Sequence, residues 1–406
     1  MRNIVPFFSV ESGGMRGHCL AAAVCFAATL PACSGNDDAV GLPDNAGDAV
    51  LTYADIVEAT YTDTLTAAEA LDEAVTAFVV APSQKSLTVA RDAWLASREP
   101  YLQTEVFRFY DGPIDNPIDG PEGMLNAWPL DEAYVDYVDG DADAGIVNDP
   151  KQEISATELE KLNEQGGEEN IATGYHAVEF LLWGQDHDAD GPGDRPFTDF
   201  VVGKDGSPSA KRRGEYLQTV SQLLTTHLRQ VREQWANEKN TYRRDFEAAA
   251  AKESLTKILT GMIVLTGFET GGERLQRSLN SGDQEDEHSC FSDNTHRDMI
   301  QDVQGVKNVW RGSYTRLDGK KVNGTSVRAV VQVASPELAD ELDAQIDASL
   351  DAAKALQPPF DREIAPGNKA GRKRLQTLIE ALGKQEELLQ DVFQVLGFTV
   401  TERQRK

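Results

Sequence analysis

The chain has 406 residues, of which 39 are Lys or Arg and 67 are Asp or Glu, so its formal net charge at pH 7 is −28. Nucleic-acid binding and docking onto anionic lipid both need a basic face, so this charge argues strongly against both classes and leaves cations, including metal ions, as partners. Hydrophobic residues make up 40% of the chain, which is enough for a packed core and excludes wholesale disorder.

The first predicted element, residues 1–32, is a lipoprotein signal peptide. The apolar run CLAAAVCFAATL, residues 19–30, is 12 residues long, whereas a helix needs roughly 20 residues to span a bilayer. Met15-Arg16 stands just before it as the positive region of a secretory signal and indicates Met15, rather than Met1, as the start. The run ends in LPAC, which resembles a bacterial lipobox with Cys33 as the lipidated residue. Simple secretion with cleavage nearby is the alternative.

Residues 33–49 are small and acidic, and we expect them to form a flexible tether. Several acyl chains on Cys33 would be needed for a stable lipid anchor. Ser34 follows the cysteine, and no aspartate stands there. By resemblance to Gram-negative lipoproteins, this favours the outer membrane, with the protein facing the periplasm or the cell surface. Cys290 is then the one cysteine left unmodified, so no internal disulfide can form.

Residues 50–400 have a helical pattern. Apolar residues in 53–79 recur at steps of three and four, and Ser335-Pro336-Glu337 is typical of a helix start. Because alternating strand patterns are scarce, we predict an all-α helical bundle. Gly174-Tyr175-His176 has a weak echo in Gly267-Phe268-Glu269, which suggests an internal duplication with two lobes of about 50–200 and 210–400. Similar helical stripes occupy roughly 85–107, 211–238, 246–280, 293–313 and 375–396.

His176 and Glu179 are the first candidate for metal chemistry. Residues three apart on a helix share one face, and an imidazole with a carboxylate suits iron or zinc. The alternative is a partly buried histidine that is bonded to its helix neighbour.

Calcium has a weaker pattern in the loop that follows. Asp186, Asp188, Asp190 and Gly191 match the first positions of an EF-hand loop, but Phe197 stands where the bidentate glutamate belongs. We therefore expect an acidic, solvated loop and no bound calcium.

The stretch GYHAVEFLLWGQD, residues 174–186, resembles the imelysin-like family, whose signature is G-x-H-x-x-E. That family includes insulin-cleaving membrane proteases and cyanobacterial iron-regulated proteins. The segments 93–129, 267–275 and 286–298 support the resemblance, which covers most of residues 50–400. It implies an all-α, two-lobed fold on bacterial surface or periplasmic proteins connected with iron.

The resemblance also implies the residues of a metal site. His176 and Glu179 are expected as ligands, Glu105 as a carboxylate from a neighbouring helix, and Arg98 as the residue that orients this carboxylate. An ordinary ion pair is the alternative for the last two. Independently of the resemblance, the residues themselves offer further donors for the same site or a second one: Glu269, Asp286, Glu287, His288, Asp293 and His296. The alternative for DEHSCFSDNTHRD is a polar loop that caps a helix starting near Asp293.

The expected function is an exported lipoprotein that binds a transition metal, iron above all, for iron acquisition or handling, and that passes it to a transport partner. A zinc-dependent peptidase at the same site is one alternative, although no H-E-x-x-H motif occurs and no residue is identified as catalytic. A surface interaction or haem-binding module is the other. A thiol nucleophile at Cys290 lacks an evident orienting partner.

Overall fold

The computed structural model describes residues 41–188, 190–204 and 206–399. The predicted signal peptide, Cys33 and most of the predicted tether lie outside them. In the described part the architecture is all-α, which confirms the predicted fold class. No helix of that part is long and apolar enough to cross a membrane.

The described residues form sixteen α-helices. In chain order they are α1 Ala46–Val80, α2 Gln84–Leu102, α3 Glu122–Leu125, α4 Glu132–Val135, α5 Gly145–Asn148, α6 Ala156–Leu162, α7 Gly174–Trp183, α8 Ala210–Trp235, α9 Tyr242–Ala248, α10 Ala251–Val264, α11 Arg277–Ser281, α12 Thr295–Arg311, α13 Val327–Ala334, α14 Pro336–Lys354, α15 Phe360–Ile364 and α16 Lys369–Val395. The shorter or irregular elements are 3₁₀ turns at Glu105–Phe107, Phe197–Phe200 and Gln284–Asp286, a π-helical segment at Leu265–Gln276, and the antiparallel strands β1 Ser313–Thr315 and β2 Lys321–Asn323.

Helix α1 follows the predicted apolar stripe and starts earlier than expected. Tyr53, Val57 and Phe78 are buried on the face that packs against α2 and α8. The helix begins at Ala46, so residues 46–49, which we assigned to the tether, are helical. Ala46, Ala49 and Val50 are buried, and this burial explains why the helix extends into a segment of low hydrophobicity.

The core consists of two hydrophobic clusters. The larger cluster takes residues from α1, α2, α7, α8 and α10, and the smaller one is built by α11, α12, α14, α15 and the first half of α16. Helix α8 follows the predicted lobe boundary at 200–210, yet it packs against α1 and α7, which precede it. The clusters therefore do not divide at that boundary. Helix α7 is buried at every one of its residues, and this places the signature histidine in the interior.

Candidate metal centre

The start of α7 explains the glycine of the G-x-H-x-x-E signature. Gly174 has a φ of +83°, and a Cβ at this position would lie 2.6 Å from the carbonyl oxygen of Leu125. Glycine alone accepts both the positive φ and the close approach. The next residue, Tyr175, is also held in place, because the indole N–H of Trp94 donates to its carbonyl oxygen at 2.9 Å. Helix α7 therefore starts in a fixed position, two residues before His176.

His176 and Glu179 form a buried pair, as their spacing predicts. Nδ1 of His176 lies 2.8 Å from Oε2 of Glu179. Oε1 of Glu179 accepts hydrogen bonds from the backbone N–H of Ser292 at 3.0 Å and from its hydroxyl at 2.6 Å. Both oxygens of Glu179 therefore take part in hydrogen bonds. The carboxyl group fixes the orientation of the imidazole ring and has no oxygen free to bind an ion.

Burial controls the charge of this pair. It raises the pKa of Glu179 to about 8, although the hydrogen bonds from Ser292 act in the opposite direction. Burial, assisted by the nearby Arg98 guanidinium, lowers the pKa of His176 well below its usual value. The imidazole is therefore neutral at pH 7, which is the form that binds a metal ion.

A second histidine faces the first one. The rings of His176 and His288 lie 5.0 Å apart between centroids, with planes at 71°. Nδ1 of His288 is 2.7 Å from Oδ2 of Asp298, while its Nε2 is 3.5 Å from the amide nitrogen of Asn126. Each histidine is thus held through Nδ1 by its own carboxyl group. This is the usual arrangement of a metal-binding histidine, whose Nε2 is left for the ion.

Arg98 stabilises the second histidine's partners. Its Nη1 donates to Oδ1 of Asn126 at 2.6 Å, and its Nη2 lies 3.5 Å from Oδ2 of Asp298. The guanidinium also lies over the ring of Tyr175, 4.9 Å from its centroid. The expectation that Arg98 orients Glu105 is therefore wrong, because the fully buried guanidinium is directed to Asn126 and Asp298.

Glu105 has two other arginine partners. Its Oε2 accepts from Arg274 at 2.6 Å and from Arg108 at 2.7 Å. Burial alone would raise the pKa of Glu105, but the two guanidinium groups outweigh burial and lower this pKa to about 2. Glu105 is therefore ionised, and its negative charge acts on both His176 and His288. Oε1 of Glu105 is buried and has no hydrogen-bond partner among the described residues.

The π-helical segment Leu265–Gln276 supplies Arg274. Besides Glu105, this arginine donates to Asp302 at 2.9 Å and to Glu269 at 3.0 Å. Residues five apart point about 140° away from each other in an α-helix, whereas one π turn brings them close. The π winding therefore lets Glu269 and Arg274 bind each other. Rare π-helical turns often occur at functional sites.

A cavity of about 270 Å³ leads from the surface to His288. Arg108, Asn126, Trp128 and Arg274 line it together with His288. The remaining lining residues include four acidic side chains: Glu122, Glu164, Glu168 and Glu269. An acidic entrance of this kind raises the local concentration of cations.

Glu269 lines the same cavity as His288, whereas the predicted donors Asp286 and His296 have other partners. Asp286 is paired with Arg277 at 2.8 Å. His296 lies on α12, where its Nδ1 is 3.1 Å from the carbonyl oxygen of Asp293. His288 lies in the loop before α12, so it does not share a helix face with His296. Helix α12 starts at Thr295 with Asn294, and not Asp293, at the capping position. Burial raises the pKa of the Cys290 thiol well above its usual value, so this group is not an activated nucleophile.

The structure therefore brings together His176, Glu179 and His288, with Glu105 nearby, but it does not close them into a ready metal cage. Among the described residues, His176, Glu179 and Glu105 do not offer three donor atoms within 4.8 Å of one another. Sequence reasoning missed Asn126, Ser292, Arg274 and Asp298, and all of them lie inside the segments that carry the family resemblance. Their partners could not be predicted, because each contact joins residues far apart in the chain or in different elements.

Known proteins resemble this chain over most of its length. Iron-regulated protein A from Synechococcus elongatus is 24% identical over 338 residues, which is 80% of each protein. The crystal structure of a candidate iron-regulated protein A precursor from Parabacteroides distasonis has a TM-score of 0.66 at 22% identity, covering 88% of this chain and 97% of that one.

A further fold match is an imelysin-like protein from Psychrobacter arcticus, with a TM-score of 0.62 at 15% identity over 89% of this chain and 99% of that one. At these identities the two structures establish the fold alone. The model of the peptidase M75 family, described as imelysin, matches residues 57–389. Since this range is far more than half of the 406 residues, the chain belongs to the imelysin family.

Proposed function

We propose that this protein is an exported lipoprotein that binds iron for its acquisition or handling, with the ion between His176 and Glu105 beside His288. One observation carries the proposal. Nε2 of His176 and Oε1 of Glu105 are buried polar atoms without a hydrogen-bond partner in the described part of the chain. Buried polar atoms of this kind are rare, and an imidazole nitrogen with a carboxylate oxygen suits iron.

The proposal assigns different roles to the two signature residues. His176 binds the ion through Nε2, while Glu179 fixes the ring from behind through Nδ1, instead of acting as a ligand itself. Asp298 has the same role for His288, and Arg98 steadies Asp298. Carboxylates that hold metal-binding histidines in this way raise the basicity of the ring and fix its orientation. The acidic cavity beside His288 supplies the route by which a cation enters.

Two further observations support an iron-handling role outside the cytoplasm. The curated relative from Synechococcus elongatus is named iron-regulated protein A, and a link to iron regulation fits a protein that handles iron. The apolar run at 19–30 and the LPAC motif support lipid anchoring through Cys33, in the outer membrane. An anchored protein of this kind would pass its ion to a separate transport protein.

The test is a titration of ferrous, ferric and zinc ions into the soluble protein that starts at residue 34. We expect one iron per wild-type chain, and little or no binding in His176→Ala or Glu105→Gln. Glu179→Gln should keep a weakened site, by about 10- to 100-fold, because its role is to orient a ligand. His187→Ala is the matched control, since the His187 side chain is 60% exposed and lies in a loop.

Equal iron affinity in wild type and His176→Ala would refute the ligand assignment. A preference for zinc over both iron ions, together with cleavage of a peptide substrate, would instead support the peptidase alternative.

A further inference from the structure

A second group of carboxylates lies outside the histidine pair. Asp186 follows α7, Asp293 precedes α12, and Asp361 belongs to α15. One oxygen from each of the three lies within 4.8 Å of one oxygen from the other two. The chain therefore brings three acidic side chains from distant segments to a single point.

These three carboxyl groups are buried, and no basic side chain among the described residues balances their charge. Asp186 is 2% exposed, Asp293 is 6% exposed and Asp361 is 5% exposed. Both oxygens of Asp293 and Oδ2 of Asp186 have no hydrogen-bond partner in the described chain. The buried carboxyl group of Glu287 shares a hydrogen bond with that of Asp361 and adds a fourth acid.

The surrounding charges are also negative. Asp188 and Glu285 act on Asp186, and Glu179 acts on Asp293. Within residues 41–188, 190–204 and 206–399, no lysine, arginine or histidine forms an ion pair with Asp186, Glu287, Asp293 or Asp361. Burying several unpaired carboxylates is costly. Protons or a metal ion must therefore neutralise the cluster.

We propose that Asp186, Asp293 and Asp361, with Glu287 beside them, form a calcium-binding site. All of the donor atoms are carboxylate oxygens, which is the set that calcium prefers, whereas zinc takes nitrogen or sulfur donors in most sites. Calcium–oxygen distances of about 2.3–2.6 Å allow two ligand atoms to be up to about 5 Å apart, and the three aspartate oxygens, which all lie within 4.8 Å of one another, fall inside this span. Magnesium normally keeps several waters and uses only one or two carboxylates.

This site differs from the EF-hand pattern of the sequence. Asp186 does point into the cluster, but Asp188, Asp190 and Asp194 are exposed. Asp190 is instead paired with Arg362 at 2.7 Å. The expectation of a merely solvated acidic loop is therefore wrong for Asp186. The remaining ligands come from segments about 100 and 170 residues further along the chain, where no loop motif would identify them.

The ion would join the two hydrophobic clusters of the molecule. Asp186 follows α7, which belongs to the larger cluster, while Phe360 and Ile364 on either side of Asp361 belong to the smaller one. Asp293 directly follows Ser292, which donates to Glu179. A bound calcium ion would thus stabilise the fold and fix the loop that supports His176.

The experiment compares calcium binding and thermal unfolding of the metal-free protein from residue 34 onward, in wild type, Asp293→Asn and Asp361→Asn. The probe is calcium chloride alone, with radioactive calcium in equilibrium dialysis. We expect one calcium per wild-type chain and a Tm raised by several degrees. Both variants should bind calcium about tenfold more weakly or worse. Asp194→Asn is the matched control, since its side chain is in the same loop and 94% exposed.

The Tm of wild type and of Asp293→Asn should also be compared in the absence of calcium. Without calcium, Asp293→Asn leaves the cluster with one acid fewer for protons to neutralise, so this variant should fold and have a higher Tm than wild type, and calcium should reverse that order. His176→Ala should retain calcium, which separates this site from the proposed iron site. Absence of calcium binding in wild type, unchanged binding in Asp293→Asn, or tighter binding of ferric iron or zinc at this cluster would overturn the proposal.

Discussion

At the residue scale, Asp136 shows how one buried carboxylate organises the irregular part of the chain. It lies at the end of α4 and is fully buried. Arg195 binds it at 2.7 Å, and Arg213 on α8 binds it twice, at 2.6 and 2.9 Å. Burial acts to raise the pKa of Asp136, but the two guanidinium groups lower it below the usual range. This residue joins 110–150 to 184–210, two long stretches that are rich in Pro, Gly and Asp.

Replacing Asp136 should therefore be costly in a way that depends on pH. Asp136→Asn should lower the free energy of unfolding at pH 7 by about 3–5 kcal/mol, because two buried arginines lose their counter-charge. A lowered pKa in the folded state stabilises the fold above the ordinary aspartate pKa of about 4, and this contribution is lost as the pH falls through the folded-state value. The difference between wild type and variant should accordingly shrink from pH 5 to pH 3.

Urea unfolding at a series of pH values measures this difference. Asp139→Asn is the control, because the Asp139 side chain is 90% exposed and should contribute little at any pH. A wild-type-to-variant difference that stays constant down to pH 3 would contradict the assignment of the stabilisation to the ionised carboxylate.

The same scale shows what sequence can and cannot predict about the candidate site. The contact between His176 and Glu179 follows from their helical spacing alone. The role of Glu179 does not, because its second oxygen is taken by Ser292, 113 residues further along the chain. Which acid holds which histidine is decided by tertiary packing, and helix periodicity contains no information about it.

At the scale of elements, α10 and the π-helical segment fix the position of Glu105. A Cβ on Gly261 of α10 would lie 2.3 Å from the carbonyl oxygen of Val106 and 3.0 Å from that of Arg108. The helix thus passes directly against the 3₁₀ turn that carries Glu105. Sequence periodicity predicted a helix at 246–280, but it could not identify the π-helical winding. The π-helical segment has only 12 residues, and an apolar pattern of that length hardly distinguishes the period of an α-helix from that of a π-helix.

Gly261→Ala should push this turn away from α10. We expect a loss of roughly 1–3 kcal/mol in the free energy of unfolding, as for other overpacked positions, together with weaker iron binding because Glu105 moves. Gly383→Ala is the matched control in α16, where a Cβ would meet nothing within 4 Å. That change should instead stabilise the helix, by about 0.5–1 kcal/mol. Denaturant unfolding of both variants, with iron titration, provides the comparison, and equal effects of the two changes would exclude the proposed contact.

At the scale of the whole molecule, the fold class was predictable and the arrangement of the core was not. The helical stripes gave the all-α architecture, because burial of one helix face has a clear period. The proposed calcium site could not be predicted as a whole, because Asp361 lies on the five-residue helix α15, far from Asp186 and Asp293 in sequence. A net charge of −28 favours cations at both proposed sites and should make their capture depend on ionic strength.

The proposed iron site is tested most directly by anomalous X-ray diffraction at the iron absorption edge, from crystals soaked in iron with calcium present. We expect an iron peak within about 2.3 Å of Nε2 of His176, with Glu105 close by. The absence of iron beside His176, or iron found only among Asp186, Asp293 and Asp361, would contradict it.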